Sequence, residues 1–153
     1  MPQVMPQDPL LASLLGQRVY FDSNIFIYFL DGHPVYFSAV ARLLNACLTR
    51  EIFGATGDVA VAEVMVDAYK QTDVGLIARF KQFFGQEQFL SIAGHNTTVF
   101  DDAAQLAARN GLKFVDALHL ATATSIGCTA FVTNDRRIAS IERVQVVQLA
   151  DFI

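Results

Sequence analysis

Charge is sparse in this chain, and several common functional signatures are missing from it altogether. Charged residues make up 17% of its 153 positions, and acids outnumber bases 15 to 11 for a net charge of −4. That balance argues against a surface coated for nonspecific nucleic-acid binding, but it leaves room for a nuclease whose cations are local. The two cysteines, Cys47 and Cys128, have no Cys-x-x-Cys spacing and read as buried free thiols of a reducing cytoplasm. No apolar run approaches the ~20 residues needed to cross a bilayer. The segment Met1-Pro2-Gln3-Val4-Met5-Pro6-Gln7 lacks the positive stretch that opens a signal peptide. The expectation is a cytoplasmic protein with no membrane contact.

Phosphate-binding loops are absent too: neither Gly-x-x-x-x-Gly-Lys-Ser/Thr nor Gly-x-Gly-x-x-Gly occurs. There is no Gly-x-Ser-x-Gly elbow for a nucleophilic serine. His33, His95 and His119 share no metal-ligand spacing with one another or with cysteine. His119 follows Asp116 by three residues, on the same helical face, yet its apolar neighbours make it first a packing residue.

What the chain does have is apolar substance, 53% of its residues, enough for one well-filled domain. No linker, repeat or low-complexity segment interrupts it. Asp8-Pro9 starts a short helix that Gly16 stops, so residues 1–16 read as an N-terminal extension and 17–153 as a single domain. Strands are expected at 18–21, 52–55, 89–92, 129–132 and 144–149. Helices are expected at 23–30, 37–50, 59–70, 74–84, from Asn96 or Thr97 to Asn110, and at 115–126. Strands alternating with helices imply an α/β fold with a mainly parallel sheet covered on both faces.

Four acids stand in apolar surroundings: Asp22 after Arg18-Val19-Tyr20-Phe21, Glu63 within Val61-Ala62-Glu63-Val64-Met65, Asp116 before Ala117-Leu118, and Asp135 after Phe131-Val132-Thr133-Asn134. Such acids are costly to desolvate unless something positive meets them. Carboxylates delivered by separate elements are what a hard divalent cation needs. Ligands of a parallel sheet gather beyond the carboxyl ends of its strands, where Asp22 and Asp135 fall. Each acid alone also has an ordinary reading: a cap, a turn, a helix-dipole partner, or a snorkelling glutamate.

The segment Val19-Tyr20-Phe21-Asp22-Ser23-Asn24-Ile25-Phe26 resembles the opening motif of PIN domains. Ala62-Glu63-Val64 is similar to their helix glutamate, Phe114-Val115-Asp116-Ala117-Leu118-His119-Leu120-Ala121-Thr122-Ala123 to their third-acid motif, and Val132-Thr133-Asn134-Asp135 to their final one. The four occur in family order, and size and layout look most like VapC-type toxins. The resemblance implies a three-layer α/β/α domain with metal-dependent endoribonuclease activity, usually a homodimer, silenced by a cognate antitoxin protein. Carried onto this chain, Asp22, Glu63, Asp116 and Asp135 would hold one or two Mg²⁺ or Mn²⁺ ions. Ser23 and Thr133 would supply orienting hydroxyls, and Asn24 would support them. Two departures stand out. Val59, Ala60, Val61 and Ala62 occupy the stretch where many relatives carry a serine or threonine, and residues 1–16 exceed the usual start.

Arg136 and Arg137 directly follow Asp135, and at least one is placed to bind flanking RNA phosphates. Their ordinary reading is pairing with nearby acids such as Glu142. Two other functions stay open: a noncatalytic PIN-like module that binds RNA or protein, and a different Mg²⁺-dependent hydrolase of phosphate esters.

Overall fold

The computed structural model describes residues 8–86 and 89–153; residues 1–7 of the N-terminal extension lie outside them. Asp8 caps helix α1 (Pro9–Leu14), its carboxylate accepting from the amides of Leu10 and Leu11 at 3.1 and 3.3 Å. Strand β1 (Arg18–Phe21) leads through Asp22 directly into α2 (Ser23–Leu30). Then come α3 (Phe37–Leu48), β2 (Phe53–Gly57), α4 (Asp58–Lys70) and α5 (Val74–Phe84). Strand β3 (Leu90–Ala93) precedes α6 (Thr97–Asn110), which Asn96 caps through the Val99 amide at 3.0 Å. Gly111, at φ 64°, ends that helix in the left-handed conformation that glycine adopts without Cβ penalty. Helix α7 (Phe114–Ser125), β4 (Ala130–Thr133) and β5 (Gln145–Gln148) complete the order.

The five strands form one sheet in the order β3-β2-β1-β4-β5, and every pairing is parallel. The "mainly parallel" expectation therefore sharpens to an all-parallel sheet among the described residues. Alternation along the strands sorts the core into two layers. Val19 and Phe21 of β1, with Ala130 and Val132 of β4, pack into one cluster with residues of α1 to α5. Tyr20 and Phe131 point the other way, into a cluster with residues of α6 and α7. The result is the three-layer α/β/α arrangement. Leu10 and Leu14 of α1 are buried in the first cluster, so α1 packs into the same core as the sheet.

Element bounds differ from expectation by a residue or two, chiefly in β2, which starts at Phe53 and runs on to Gly57. A 3₁₀ turn, Leu149–Phe152, has no counterpart in the sequence reading. It anchors itself through buried Leu149, while its backbone at Ala150 donates to Asn134 Oδ1 at 2.8 Å. Among the described residues no helix is long and apolar enough to cross a membrane.

Gly54 shows how tightly α3 and β3 close on β2. A Cβ there would stand 2.6 Å from Cys47 Sγ, 3.1 Å from the Phe21 ring and 3.3 Å from Leu90 Cδ1. Gly54→Ala is therefore expected to lower unfolding stability by about 1–3 kcal/mol through overpacking. Gly75→Ala, in the first turn of α5, where an added Cβ would meet only Asp73 Oδ1 at 3.4 Å, should instead raise it by roughly 0.5 kcal/mol. Urea denaturation of the two variants checks the opposite signs.

Candidate metal centre

Asp22 continues the sheet by one residue, donating its backbone N–H to Val132 O at 3.1 Å, before its side chain caps α2. It is only 5% exposed. Its Oδ1 accepts from the Ser23 amide at 2.7 Å, and its Oδ2 accepts from the Thr133 hydroxyl at 2.7 Å. Thr133 ends the neighbouring strand β4, so the parallel pairing of β1 with β4 delivers this contact. The same hydroxyl oxygen accepts from the Asp135 amide at 2.9 Å and from Asn24 Nδ2 at 3.2 Å. One donor and two acceptor positions are thereby all used. Ser23 Oγ lies 3.5 Å from Asp22 Oδ1, a long contact. The three residues expected to support the site do meet Asp22 or the threonine that holds it.

Glu63 reaches in from α4, its side chain 41% exposed. It meets His119 of α7, whose Nε2 is 2.6 Å from Glu63 Oε1 and 3.6 Å from Asp22 Oδ1. The other ring nitrogen, Nδ1, lies 2.9 Å from the Tyr20 hydroxyl. Tyr20 is fully buried and stacks on Phe131 at 5.0 Å, which fixes the hydroxyl in place. Burial works to lower the His119 pKa, but the Glu63 hydrogen bond and the charges of Asp22, Glu63 and Asp116 outweigh it, and the value is raised.

Asp116, in the first turn of α7, stands beside this group rather than within it. Burial raises its pKa, and Asp135 and Asp22 push the same way against the pull of Arg137 and His119. Asp116, Asp135 and Asp22 therefore share one electrostatic neighbourhood, and Glu63 joins Asp22 and Asp116 in acting on His119. Asp135 is held below the usual carboxylate range chiefly by Arg137. That arginine gives it Nε at 3.0 Å, Nη2 at 2.7 Å and its backbone amide at 3.0 Å. Arg136 turns to Asp151 in the C-terminal turn, at 2.6 Å. Both arginines thus have acid partners, Asp151 and Asp135 rather than Glu142.

Among the described residues, Asp22, Glu63 and His119 are the group whose ligand atoms all lie within 4.8 Å of one another. Two carboxylate oxygens and an imidazole nitrogen, with Asp22 and His119 buried and Glu63 reaching in from the solvent side, suit a divalent cation. The sequence signals Asp22 and Glu63, but it leaves His119 to packing. Its one clue is the three-residue spacing from Asp116, and only the fold shows that Tyr20 aims the ring at the acids.

A sequence model of the PIN domain matches residues 19–144. The chain belongs to the PIN domain family. No curated protein matches it in sequence, whereas solved structures do match this PIN domain in fold. A toxin–antitoxin complex from Klebsiella pneumoniae superposes with TM-score 0.65 at 24% identity, covering 82% of this chain and 94% of that one. VapBC2 from Rickettsia felis, bound to a DNA fragment of its promoter, gives 0.65 at 17% identity, covering 86% and 98%. VapC20 from Mycobacterium tuberculosis, a toxin that cleaves the sarcin-ricin loop, gives 0.62 at 11%, covering 74% and 86%.

The Thr133 hydroxyl is central to this PIN domain's geometry, because its loss strands Asp22 Oδ2, the Asp135 amide and Asn24 together. Thr133→Val keeps the shape and is expected to cost about 1–3 kcal/mol of stability through unsatisfied buried polar groups. Thr133→Ser should recover most of it. Equal denaturation midpoints for Val and wild type would show that the hydroxyl does not hold the site.

Proposed function

We propose that this PIN domain is a metal-dependent endoribonuclease, the toxin of a type II toxin–antitoxin pair. The observation that carries the reading is the convergence of Asp22 and Glu63 with His119 beyond the carboxyl edge of the sheet, with Asp116 and Asp135 alongside. A divalent ion, Mg²⁺ or Mn²⁺, one or two in number, would supply an activated water and a Lewis acid for the phosphoryl oxygens. Asp22 and Glu63 would hold it, and Asp116 and Asp135 would complete the carboxylate set. Thr133 and Ser23 fix the Asp22 oxygens, Asn24 steadies Thr133, and none of the three needs to move for this.

Histidine-driven attack by the RNA 2′-hydroxyl fits the geometry poorly. Both nitrogens of His119 already face Tyr20 and Glu63, and His33 Nδ1 accepts from the amides of Val35 and Tyr36. Hydrolysis by water, leaving 5′-phosphate and 3′-hydroxyl ends, is the reading that remains. Arg136 and Arg137 would reach flanking phosphates by exchanging their present partners, Asp151 and Asp135, for RNA.

The antitoxin belongs to the same reading. The Klebsiella and Rickettsia proteins that share the fold are found in toxin–antitoxin assemblies. Here Phe29, Leu44, Leu48, Phe83 and Phe89 line an open groove of about 420 Å³ between α2, α3 and α5, a surface suited to the apolar face of a partner helix. A homodimer and a cytoplasmic location complete the proposal. A noncatalytic binding module would have no use for four gathered acids, and a small-ester phosphatase would cleave nitrophenyl phosphates.

Asp22→Asn and Asp116→Asn are each expected to abolish Mn²⁺-dependent RNA cleavage, by a factor of about 10² or more, with the circular dichroism spectrum unchanged. EDTA should stop the wild-type reaction, and simple phosphate esters should survive it. Product ends of the 2′,3′-cyclic type, formed in EDTA, would overturn the hydrolytic mechanism. Full activity of Asp116→Asn at limiting Mn²⁺ would remove that residue from the site.

A further inference from the structure

Three aromatic rings form a row beyond the carboxyl edge of the sheet, and two of them have no part in the core. His95 follows β3, and its ring centroid lies 5.9 Å from that of Phe100 in α6, with the planes tilted by 32°. Phe100 lies in turn 6.4 Å from Phe114, in the first turn of α7, and those two planes are within 15° of parallel. Phe100 and Phe114 are 43% and 45% exposed and belong to neither core layer. Scattered exposed rings are ordinary, but neighbouring rings held in one orientation mark a contact surface.

Both ends of the row are tied to the acid site. At one end Gly57 stands between His95 and Tyr20. A Cβ there would lie 3.3 Å from His95 Nε2 and 3.0 Å from the Tyr20 hydroxyl, the group that meets His119 Nδ1. At the other end Phe114 precedes Asp116 by two residues within one helical turn. Lys113, exposed and next to Phe114, acts electrostatically on Asp135, and Arg137 acts on Asp116. An apolar protein surface would use the rings but not the cations and acids beside them. Single-stranded RNA uses all three: backbone charge for Lys113 and Arg137, a scissile phosphate for the acids, and a base face for the rings.

We propose that Phe100 and Phe114 form a base-stacking subsite for a nucleotide near the scissile phosphate, with His95 closing its inner end. A nucleobase lies flat on such a ring, so the subsite takes an unpaired base and excludes one held in a duplex. Stacking tolerates any sequence but follows stacking strength, so a purine is favoured over a pyrimidine there. The rings set which phosphate reaches the acids and take no part in bond cleavage. The inference rests on the RNA part of the proposed function, not on which ion the acids hold.

The chain contains no tryptophan, so Phe114→Trp introduces a single indole whose emission reports on what lies against it. The probe is an oligoadenylate of about ten nucleotides, added to full-length protein in EDTA so that no cleavage intervenes. The oligoadenylate is expected to quench the indole, and an abasic oligomer of the same length to leave it unchanged. Replacing both rings by alanine, Phe100→Ala with Phe114→Ala, should weaken oligoadenylate binding roughly tenfold or more. The salt slope should hold, because the phosphate contacts stay. The same pair changed to leucine should lose as much, since leucine keeps apolar area without a π-face. Unquenched emission while the oligoadenylate binds, or wild-type affinity in either double variant, overturns the inference and leaves the nuclease reading standing. Should the alanine pair not fold, the quenching decides alone. No binding of oligoadenylate by wild type overturns the inference as well. An alanine pair that keeps its RNA affinity but loses self-association in sedimentation assigns the rings to a second copy of the chain instead. Ring-dependent binding in a protein that cleaves no RNA in Mn²⁺ keeps the inference and removes the nuclease assignment.

Discussion

Burial of the Asp22 carboxylate is the constraint from which the rest of the site follows. A charge taken out of water costs several kcal/mol, and at 5% exposure Asp22 has little solvent left to compensate it. The fold answers with neutral donors. The Ser23 amide comes free with the start of α2, because the first amides of any helix lack intrahelical partners. The Thr133 hydroxyl comes from the adjacent strand. Neither donor cancels the charge, so the carboxylate stays available to a cation that arrives later. An arginine in place of Thr133 would satisfy Asp22 better and would close the site.

That contact exists only because of the order in which the strands are laid down. From β1 the chain builds outward through β2 and β3 on one side, then returns with β4 on the other. At such a switch point the connections leave the sheet in opposite directions and open a crevice above the carboxyl ends of the two middle strands. Asp22 follows β1 and Asp135 follows β4, so both fall at the crevice. Glu63 and Asp116 come from α4 and α7, which follow β2 and β3–α6 and cover opposite faces of the sheet. One acid is thus drawn from each side of the layered structure. The gathering is a property of topology, and no local sequence rule could produce it.

The sequence carried most of the fold because each element announces itself locally. Asp8-Pro9, Asp73 and Asn96 cap where capping residues are expected, and Gly16, Gly32, Gly111 and Gly127 all take positive φ at helix or loop boundaries. The acids were legible for the same reason: each lies at an element boundary or on an amphipathic face. What stayed hidden depends on distance through space. Tyr20 looks like one more aromatic in a buried strand, and Thr56 like a β-former. The Thr56 hydroxyl acquires meaning only when β2 pairs with β1 and it donates to Phe21 O, and that of Tyr20 only when α7 brings His119 within 2.9 Å. Arg136 is a parallel case. Its partner Asp151 sits in a C-terminal 3₁₀ turn that leaves no clear periodic trace in the sequence.

The two internal partners that these acids have at this edge differ in kind, and the difference ranks the acids. Glu63 meets a buried imidazole whose ring is locked by Tyr20 and whose orientation survives whatever else happens at the site. Asp135 meets Arg137, whose side chain is 60% exposed and free to swing into solvent. A solvent-exposed pair of this sort contributes little net stability, because water replaces the partner easily. Freeing Asp135 Oδ2 therefore requires only the rotation of a surface side chain, while Oδ1 keeps the Arg137 amide, whereas Asp22 and His119 are fixed in the core. In the proposed nuclease Asp22 and Glu63 would define the ion's position, and Asp135 would be the ligand whose engagement varies. Arg137 would then couple the two states. When RNA phosphate draws the guanidinium away, the carboxylate it leaves behind becomes free to join the site, so substrate binding and completion of the acid set favour each other.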